Sequence, residues 1–199
     1  EGEVVERLGV SRTPVRSALQ RLQQEGYIQA TLSGRQSRLV VTPLTQEDVD
    51  ELFGLVGELE GLAARRAARL ERSARSALVR KLREHNGGLR ANAGAVSPDP
   101  DRWLDFDFAF HGAYVAAAGG PRLRALHAGI IPQAERYARV YVSSLTNRIL
   151  ESAAEHDGIV RAIESGDGDL AQRATQLNWR NAAERLSSIV ARIGELGTW

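Results

Sequence analysis

Helical periodicity, interrupted by clusters of helix-breaking residues, is the feature that most limits the possible folds of this chain. From Thr45 to near the C-terminus, apolar residues recur every three or four positions, which is the spacing of one helix face. Four clusters that disfavour helix divide this stretch: GG at 87–88, SPDP at 97–100, GGP at 119–121 and SGDG at 165–168. The pattern predicts helices at about 45–71, 73–91, 102–118, 122–146, 148–164 and 168–194. Six helices with short links are typical of an antiparallel bundle.

The first 42 residues follow a different pattern. Residues 3–8 predict a short helix that ends at Gly9, and Ser11 and Pro14 suit the start of a second helix that stops at Gly26. The β-prone runs YIQA and RLVV flank TLSGRQS, which predicts a hairpin. We therefore expect a mainly α protein, with a winged helix-turn-helix domain at residues 1–42 and an antiparallel six-helix bundle domain at residues 43–199.

Composition excludes several classes of protein. The 199 residues contain no Cys, which rules out disulfides and thiolate chemistry within them. No apolar run approaches the roughly 20 residues that a membrane span needs, and no basic-then-apolar signal pattern opens the sequence, so we expect a cytoplasmic protein that does not contact membranes. The net charge is only +1. Residues 1–42 nevertheless hold six Arg against four Glu, a weak basic bias.

The second predicted helix has an apolar side and a polar side. Val15, Ala18, Leu19 and Leu22 share one arc, while Thr13, Ser17, Gln20 and Gln24 lie opposite, flanked by Arg16 and Arg21. In a helix-turn-helix, the second helix enters the major groove of DNA, and the planar guanidinium of Arg can hold guanine O6 and N7 together. A solvated surface helix would show the same two sides. The preceding short helix, the turn at Gly9 and the hairpin favour the DNA-reading interpretation.

The segment LGVSRTPVRSALQRLQQEGYI resembles the signature of the GntR family of bacterial transcription regulators, from which only Ser17 clearly departs, at a position where Glu is usual. The resemblance implies that Arg12, Thr13 and Arg16 contact the groove and that Ser11 contacts the backbone. It also implies a wing tip at Gly34, with Arg35 as a phosphate contact. The first helix of the family's DNA-binding domain has no counterpart here, so we expect this domain to be N-terminally truncated.

The second region is similar to the FCD ligand-binding domain of the FadR subfamily over nearly all of residues 45–195. The motifs that carry this similarity are DFAFH at 107–111, AGGPRL at 118–123 and the pair Glu155-His156. The resemblance implies a homodimer that places two winged domains on a palindromic operator. It also implies that a small-molecule metabolite acts as effector inside the bundle. Many members of the family are repressors that a metabolite relieves, and repressor and activator both stay open for this protein.

Two helical stripes predict a polar cluster inside the bundle. Asp107, His111 and Tyr114 recur at spacings of four and three, and His156 lies on the apolar stripe of a later helix. A buried carboxylate and two buried imidazoles are costly unless a partner satisfies them, and a divalent cation such as Zn, Ni or Mn would do so. Two alternatives remain: the three side chains could be bonded to one another, or a metal-free pocket could hold another ligand.

Two positions depart from the FCD pattern. Asn178 occupies the position of the family's third His, and Val56 occupies a position where an Arg often helps to hold an acidic ligand. We expect Tyr114 and Asn178 to face the effector. An amide oxygen is a poorer ligand for transition metals than an imidazole, so a metal and a simple carboxylate effector are both less strongly indicated than in the family.

The remaining alternatives concern function and the first helix of the bundle. A metal-dependent enzyme could use Asp107, His111 and His156 around a catalytic ion, although the sequence shows no HExxH motif and no evident base beside them. Along the first long helix, Glu60, Arg65, Arg66 and Arg69 predict a solvated face with local ion pairs.

Overall fold

The computed structural model describes residues 1–33, 36–145 and 148–197, and within these ranges it confirms the mainly helical fold. The elements in chain order are α1 (Gly2–Leu8), α2 (Arg12–Gln24), β1 (Ile28–Ser33), β2 (Gln36–Val41), α3 (Gln46–Ala68), α4 (Arg72–Ala93), α5 (Pro100–Ala118), α6 (Pro121–Leu145), α7 (Ile149–Ser165) and α8 (Gly168–Ile193). None of these helices combines the length and the hydropathy needed to cross a membrane.

The N-terminal elements form two helices followed by an antiparallel hairpin. Gly9 ends α1 in the left-handed conformation, with φ of 64°, which a residue with a Cβ rarely adopts. Ser11 is the N-cap of α2, but its side chain makes no capping hydrogen bond. The β1–β2 ladder runs from Ile28 opposite Val41 to Ser33 opposite Gln36, so both strands extend further towards the turn than the β-prone runs predict.

Side-chain caps begin three of the long helices where the breaker residues predict a start. The Thr45 hydroxyl accepts from the Asp48 amide at 3.2 Å, Asp99 caps α5 and Asp167 caps α8. A cap of this kind stabilises a protein by about 1 kcal/mol. The reciprocal half of a capping box is missing at Thr45, because the Asp48 carboxylate instead accepts from the Tyr137 hydroxyl at 2.7 Å.

Close packing of α3 against α8 forms the centre of the bundle. The two helices run in opposite directions, since Leu44 pairs with Leu196 at one end and Arg65 meets Asp169 at 2.9 Å towards the other. Gly57 lets α8 approach, because a Cβ there would press on the Cβ of Trp179. Two apolar clusters fill the bundle, one containing Leu104 and the other containing Tyr114. The residues of α5 between these two therefore lie at the boundary of the clusters.

Helix α6 connects the bundle to the N-terminal elements. The Tyr27 hydroxyl donates to the carbonyl of Pro132 at 3.1 Å, and the Arg136 guanidinium donates to the carbonyl of Thr42 at 2.6 Å. At the next residue, the Tyr137 hydroxyl accepts from the Thr45 amide at 2.8 Å. These bonds place α6 in contact with the chain on both sides of the hairpin.

Candidate functional site

The polar side of α2 is open to solvent. Val15 is buried at 4% exposure, whereas Ser11, Arg12, Thr13 and Arg16 are all exposed. Arg16 pairs with Glu1 at 3.2 Å while its side chain stays 64% exposed, and a pair this exposed contributes little to stability. Its guanidinium can therefore exchange this partner for another. Gly34 and Arg35, the predicted wing contacts, lie outside the described residues.

The structure brings together the three predicted metal ligands. Asp107 and His111 on α5 and His156 on α7 each offer one ligand atom, and these atoms all lie within 4.8 Å of one another. The Nε2 atoms of His111 and His156 are 3.2 Å apart, and His156 Nε2 is 3.6 Å from a carboxylate oxygen of Asp107. Both imidazoles are buried. The predicted helical stripes thus converge on one small polar site.

Hydrogen-bond partners indicate which nitrogen of each imidazole carries a proton. His111 Nδ1 faces a carboxylate oxygen of Glu60 at 2.6 Å, so it is the donor. The Asn86 amide nitrogen donates to the Ala153 carbonyl and to Asp157, which turns its oxygen towards His156 Nδ1 at 3.3 Å. With the proton of each ring on Nδ1, the Nε2 lone pairs of His111 and His156 point towards each other, into the space between the two rings. A divalent cation fits this donor set, and Zn, Ni and Mn all accept imidazole or carboxylate ligands.

Burial and charge shift the pKa values of all three ligands. Burial raises the pKa of Asp107, and the neighbouring His111 offsets only part of this effect. Burial and the charge of His111 together lower the pKa of His156 well below its ordinary range, so His156 holds a free lone pair at neutral pH. Burial also disfavours the charged form of His111, but Glu60 outweighs it and raises the pKa of that imidazole.

Glu60 is the largest departure from the sequence-based expectation. The prediction of a solvated face is wrong at this residue, because its side chain is 0% exposed. Its carboxylate accepts hydrogen bonds from four side chains of three other helices: His111, Tyr114, His127 and Trp179. Burial would raise the pKa of Glu60, but the charges and hydrogen bonds of His111 and His127 outweigh burial and lower it.

Asn178 on α8 is held by a second, partly buried polar cluster around Glu155. Its amide nitrogen donates to Glu155 at 2.8 Å, and the same carboxylate accepts from Asn181 and from the guanidinium of Arg185. This bond uses the nitrogen and leaves the amide oxygen of Asn178 available. Asn178 thus presents a neutral oxygen where the family pattern has an imidazole.

A cavity of about 60 Å³ adjoins Asp107 and His111, which is several times the ~15 Å³ that one water molecule occupies. Apolar side chains form most of its wall, and Asn178, Ser152, Arg148 and Arg185 add polar groups. Tyr114 does not line the cavity among the described residues, because its hydroxyl donates to Glu60. Of the two residues expected to face an effector, Asn178 therefore lines this cavity, whereas Tyr114 is bonded to Glu60.

Three residues that bond to the site were not predicted from the sequence: Glu60, His127 and Asn86. For Glu60, the sequence of α3 does contain a signal. On α3, buried residues recur at Val49, Phe53, Val56, Glu60 and Ala64, which is a continuous helical stripe with one carboxylate inside it. Nothing local distinguishes His127, whose partner on α3 is 67 residues away in sequence.

Two family profiles match the chain and together cover most of it. The profile of the FCD domain matches residues 38–181. The profile described as bacterial regulatory proteins, gntR family, matches residues 1–34.

One relative and two solved structures extend these matches. An uncharacterized HTH-type transcriptional regulator in the TAR-I ttuE-ttuC' intergenic region of Agrobacterium vitis is 30% identical over 118 residues, which span 59% of this chain and 66% of the relative, just under two thirds of its length. A GntR family transcriptional regulator from Pseudomonas syringae pv. tomato str. DC3000 covers 96% of this chain and 76% of its own at 22% identity, with a TM-score of 0.61. The match to E. coli McbR/YncC covers 94% of this chain and 85% of the McbR/YncC chain at 17% identity, with a TM-score of 0.69. At these identities the two structures support the fold alone.

Proposed function

The chain belongs to the GntR family of bacterial regulatory proteins and carries an FCD domain, and on that basis we propose that it is a DNA-binding transcription regulator controlled from its helical bundle. The observation that carries the DNA-binding part is the side of α2 that holds Arg12, Thr13 and Arg16, which is exposed while Val15 is buried on the opposite side. The N-terminal end of such a helix contacts base edges in the major groove. Ser11 and Arg35 are contacts to the DNA backbone in this proposal, and Gly34 is the wing-tip glycine.

The regulatory part of the proposal uses the cavity beside Asp107 and His111. A divalent cation, Zn, Ni or Mn, would bind Asp107, His111 and His156, and it would supply a positive centre that attracts an electron-rich group of a small metabolite. The two facing lone pairs support this assignment, because without a cation or a proton between them they repel each other. Asn178 contributes its amide oxygen to the metal or to the effector.

The proposal also covers assembly and location. Residues 1–42 form the DNA-binding domain and residues 43–199 the effector-binding and dimerisation domain. A homodimer would place two α2 helices on the half-sites of a palindromic operator in the cytoplasm. Family membership favours this regulator over a metal-dependent enzyme built on the same three ligands.

An Arg16→Ala variant tests the DNA-binding helix. A duplex is first selected from a randomised pool by the wild-type protein, and its affinity for each variant is then measured by fluorescence anisotropy at fixed salt. Because a bidentate Arg–guanine contact contributes about 1–3 kcal/mol of discrimination, we expect Arg16→Ala to bind at least about fivefold more weakly.

Arg21→Ala is the matched control, since it removes the same charge from the same helix. Arg21 is 79% exposed and pairs with Glu25 at 2.8 Å. We expect its loss to weaken binding by no more than about threefold, in line with one non-specific charge. An Arg16→Ala protein that binds as tightly as the wild type, or a failure to select any duplex, would reject the proposed DNA-binding surface.

A further inference from the structure

We propose that Glu60 and Asn86 are positioning residues that fix the Nδ1–H tautomers of His111 and His156 and thereby direct both Nε2 atoms at the metal. This inference rests on the proposed metal site at Asp107, His111 and His156. It assigns a role in metal affinity to two buried side chains that do not themselves contact the metal.

The contact between Glu60 and His111 has the geometry of a carboxylate–histidine pair. The Nδ1–Oε2 distance is 2.6 Å, and both groups are buried. The same nitrogen lies 2.6 Å from the Tyr114 oxygen, whose own proton is donated to Glu60. Two acceptors therefore face His111 Nδ1, and the proton of the neutral ring is held there. Nε2 is left as the free lone pair, on the side of His156.

Glu60 is itself held rigidly, which makes it an effective guide for the imidazole. Trp179 donates to its Oε2 at 2.8 Å, and His127 lies 2.8 Å from its Oε1. A carboxylate fixed by donors from several helices cannot rotate to follow His111, so the ring orients to the carboxylate. Outer partners of metal-bound His residues fix ring orientation in this way.

Asn86 fixes the tautomer of His156 through a neutral amide group. Its amide is oriented by two donations, to the Ala153 carbonyl at 3.0 Å and to Asp157 at 2.8 Å. The Arg90 guanidinium in turn holds Asp157 at 2.6 Å. The amide oxygen must therefore face His156 Nδ1, and it accepts the proton of that nitrogen. Phe110 stacks on the ring with centroids 4.0 Å apart, which keeps the imidazole plane fixed.

The tautomers can be read directly from the wild-type protein. Long-range ¹H–¹⁵N spectra of Zn²⁺-loaded, ¹⁵N-labelled protein distinguish a protonated Nδ1 from a protonated Nε2. We expect the proton on Nδ1 and the metal on Nε2 in both His111 and His156. Zn²⁺ uptake through Nδ1 of either ring would overturn the inference. A wild-type protein that takes up no Zn²⁺ would instead reject the proposed metal site on which it rests.

Two pairs of variants test the effect on affinity, measured by competition with a chelating dye. Loss of an outer partner typically weakens metal binding 10–100-fold, so we expect about that loss in Glu60→Gln and in Asn86→Ala. Ser187→Ala is the control for Glu60, because Ser187 is buried, bonds the Asp50 carboxylate of α3 and is absent from the described cavity lining. Asn92→Ala is the control for Asn86, because Asn92 lies on the same helix and its amide bonds the backbone of Asp99 instead. We expect both controls to bind Zn²⁺ within about threefold of the wild type.

Equal losses in a variant and its control would show that the residues act only through stability and would overturn the inference. Wild-type affinity in Glu60→Gln and Asn86→Ala would do the same. Circular dichroism establishes which variants fold. If Glu60→Gln does not fold, the comparison of Asn86→Ala with Asn92→Ala and the tautomer spectra still decide the question.

Discussion

Asn178 would change the donor set of the proposed metal site while leaving Asp107, His111 and His156 in place. Its nitrogen is bound to Glu155, and its oxygen is a harder donor than the imidazole that the FCD pattern has at this position. Imidazole ligands suit Zn, whereas oxygen ligands suit Mn and other hard cations. The residue therefore bears on which cation the site prefers, and Glu155 offers a ready partner for a replacement side chain.

Asn178→His should raise the affinity for Zn²⁺ by at least about tenfold, or ~1.4 kcal/mol, because a third imidazole joins the site while Glu155 can accept its second N–H. Competition with a chelating dye measures the change. Asn181→His is the matched control, since Asn181 also bonds Glu155 but is absent from the described cavity lining. Equal gains in both variants would mean that the added imidazole binds outside the proposed site.

At the scale of elements, the contact between α4 and α5 sets the position of the ligand-bearing helix. Gly88 on α4 faces the ring of Phe106 on α5 so closely that a Cβ would collide with it, whereas a Cβ at the adjacent Gly87 would meet nothing within 4 Å. Phe106 precedes Asp107 directly, so the fit of its ring against α4 helps to place the first metal ligand.

Gly88→Ala is expected to destabilise the protein by about 1–3 kcal/mol through overpacking. Gly87→Ala should stabilise it by up to about 1 kcal/mol, because alanine favours helix more than glycine does. For a chain of this length, 1 kcal/mol shifts Tm by roughly 2–4 °C, which thermal unfolding followed by circular dichroism resolves. Shifts of the same sign in the two variants would be inconsistent with the packing described.

The helices themselves follow from the sequence because their boundaries are local. Thr45, Asp99 and Asp167 begin helices through bonds to residues two or three positions away. Three of the four breaker clusters stand at helix ends, whereas the glycine pair at 87–88 lies inside α4. Asp107, His111 and His156 were also predictable, since each lies on an apolar stripe of its own helix. Glu60 was not predicted as a site residue, because Arg65, Arg66 and Arg69 on the same helix indicated a solvent-exposed face. Its burial depends on hydrogen-bond donors from α5, α6 and α8. The sequence pattern of a single helix predicts which of its sides is polar, but it does not predict which residues of other helices will contact that side.

At the scale of the whole molecule, α6 links the bundle site to the DNA-binding region. His127 near its start contacts Glu60, and Arg136 contacts Thr42, nine residues and about 14 Å further along the helix. A change at His111 reaches α6 through the shared Glu60 carboxylate. The helix can transmit such a change as a small displacement if it has two positions relative to the hairpin.

Arg136→Ala should reduce the effect of Zn²⁺ on DNA affinity towards none while leaving Zn²⁺ affinity unchanged, because it breaks a bond between α6 and the N-terminal region. Anisotropy titrations of the selected duplex, with and without Zn²⁺, measure both states. Arg139→Ala is the control, since Arg139 on the same helix pairs with Asp101 and Asp105 of α5 instead. An unchanged metal effect in Arg136→Ala would exclude this route.

The proposed regulation is tested most directly by the affinity of the wild-type protein for its selected duplex, compared between Zn²⁺-loaded and EDTA-treated samples at the same salt concentration. Coupling between two sites typically changes affinity at least about fivefold, and we expect the dissociation constant to differ by that factor or more. Identical dissociation constants in a sample that demonstrably binds Zn²⁺ at Asp107, His111 and His156 would contradict metal control of DNA binding from the bundle.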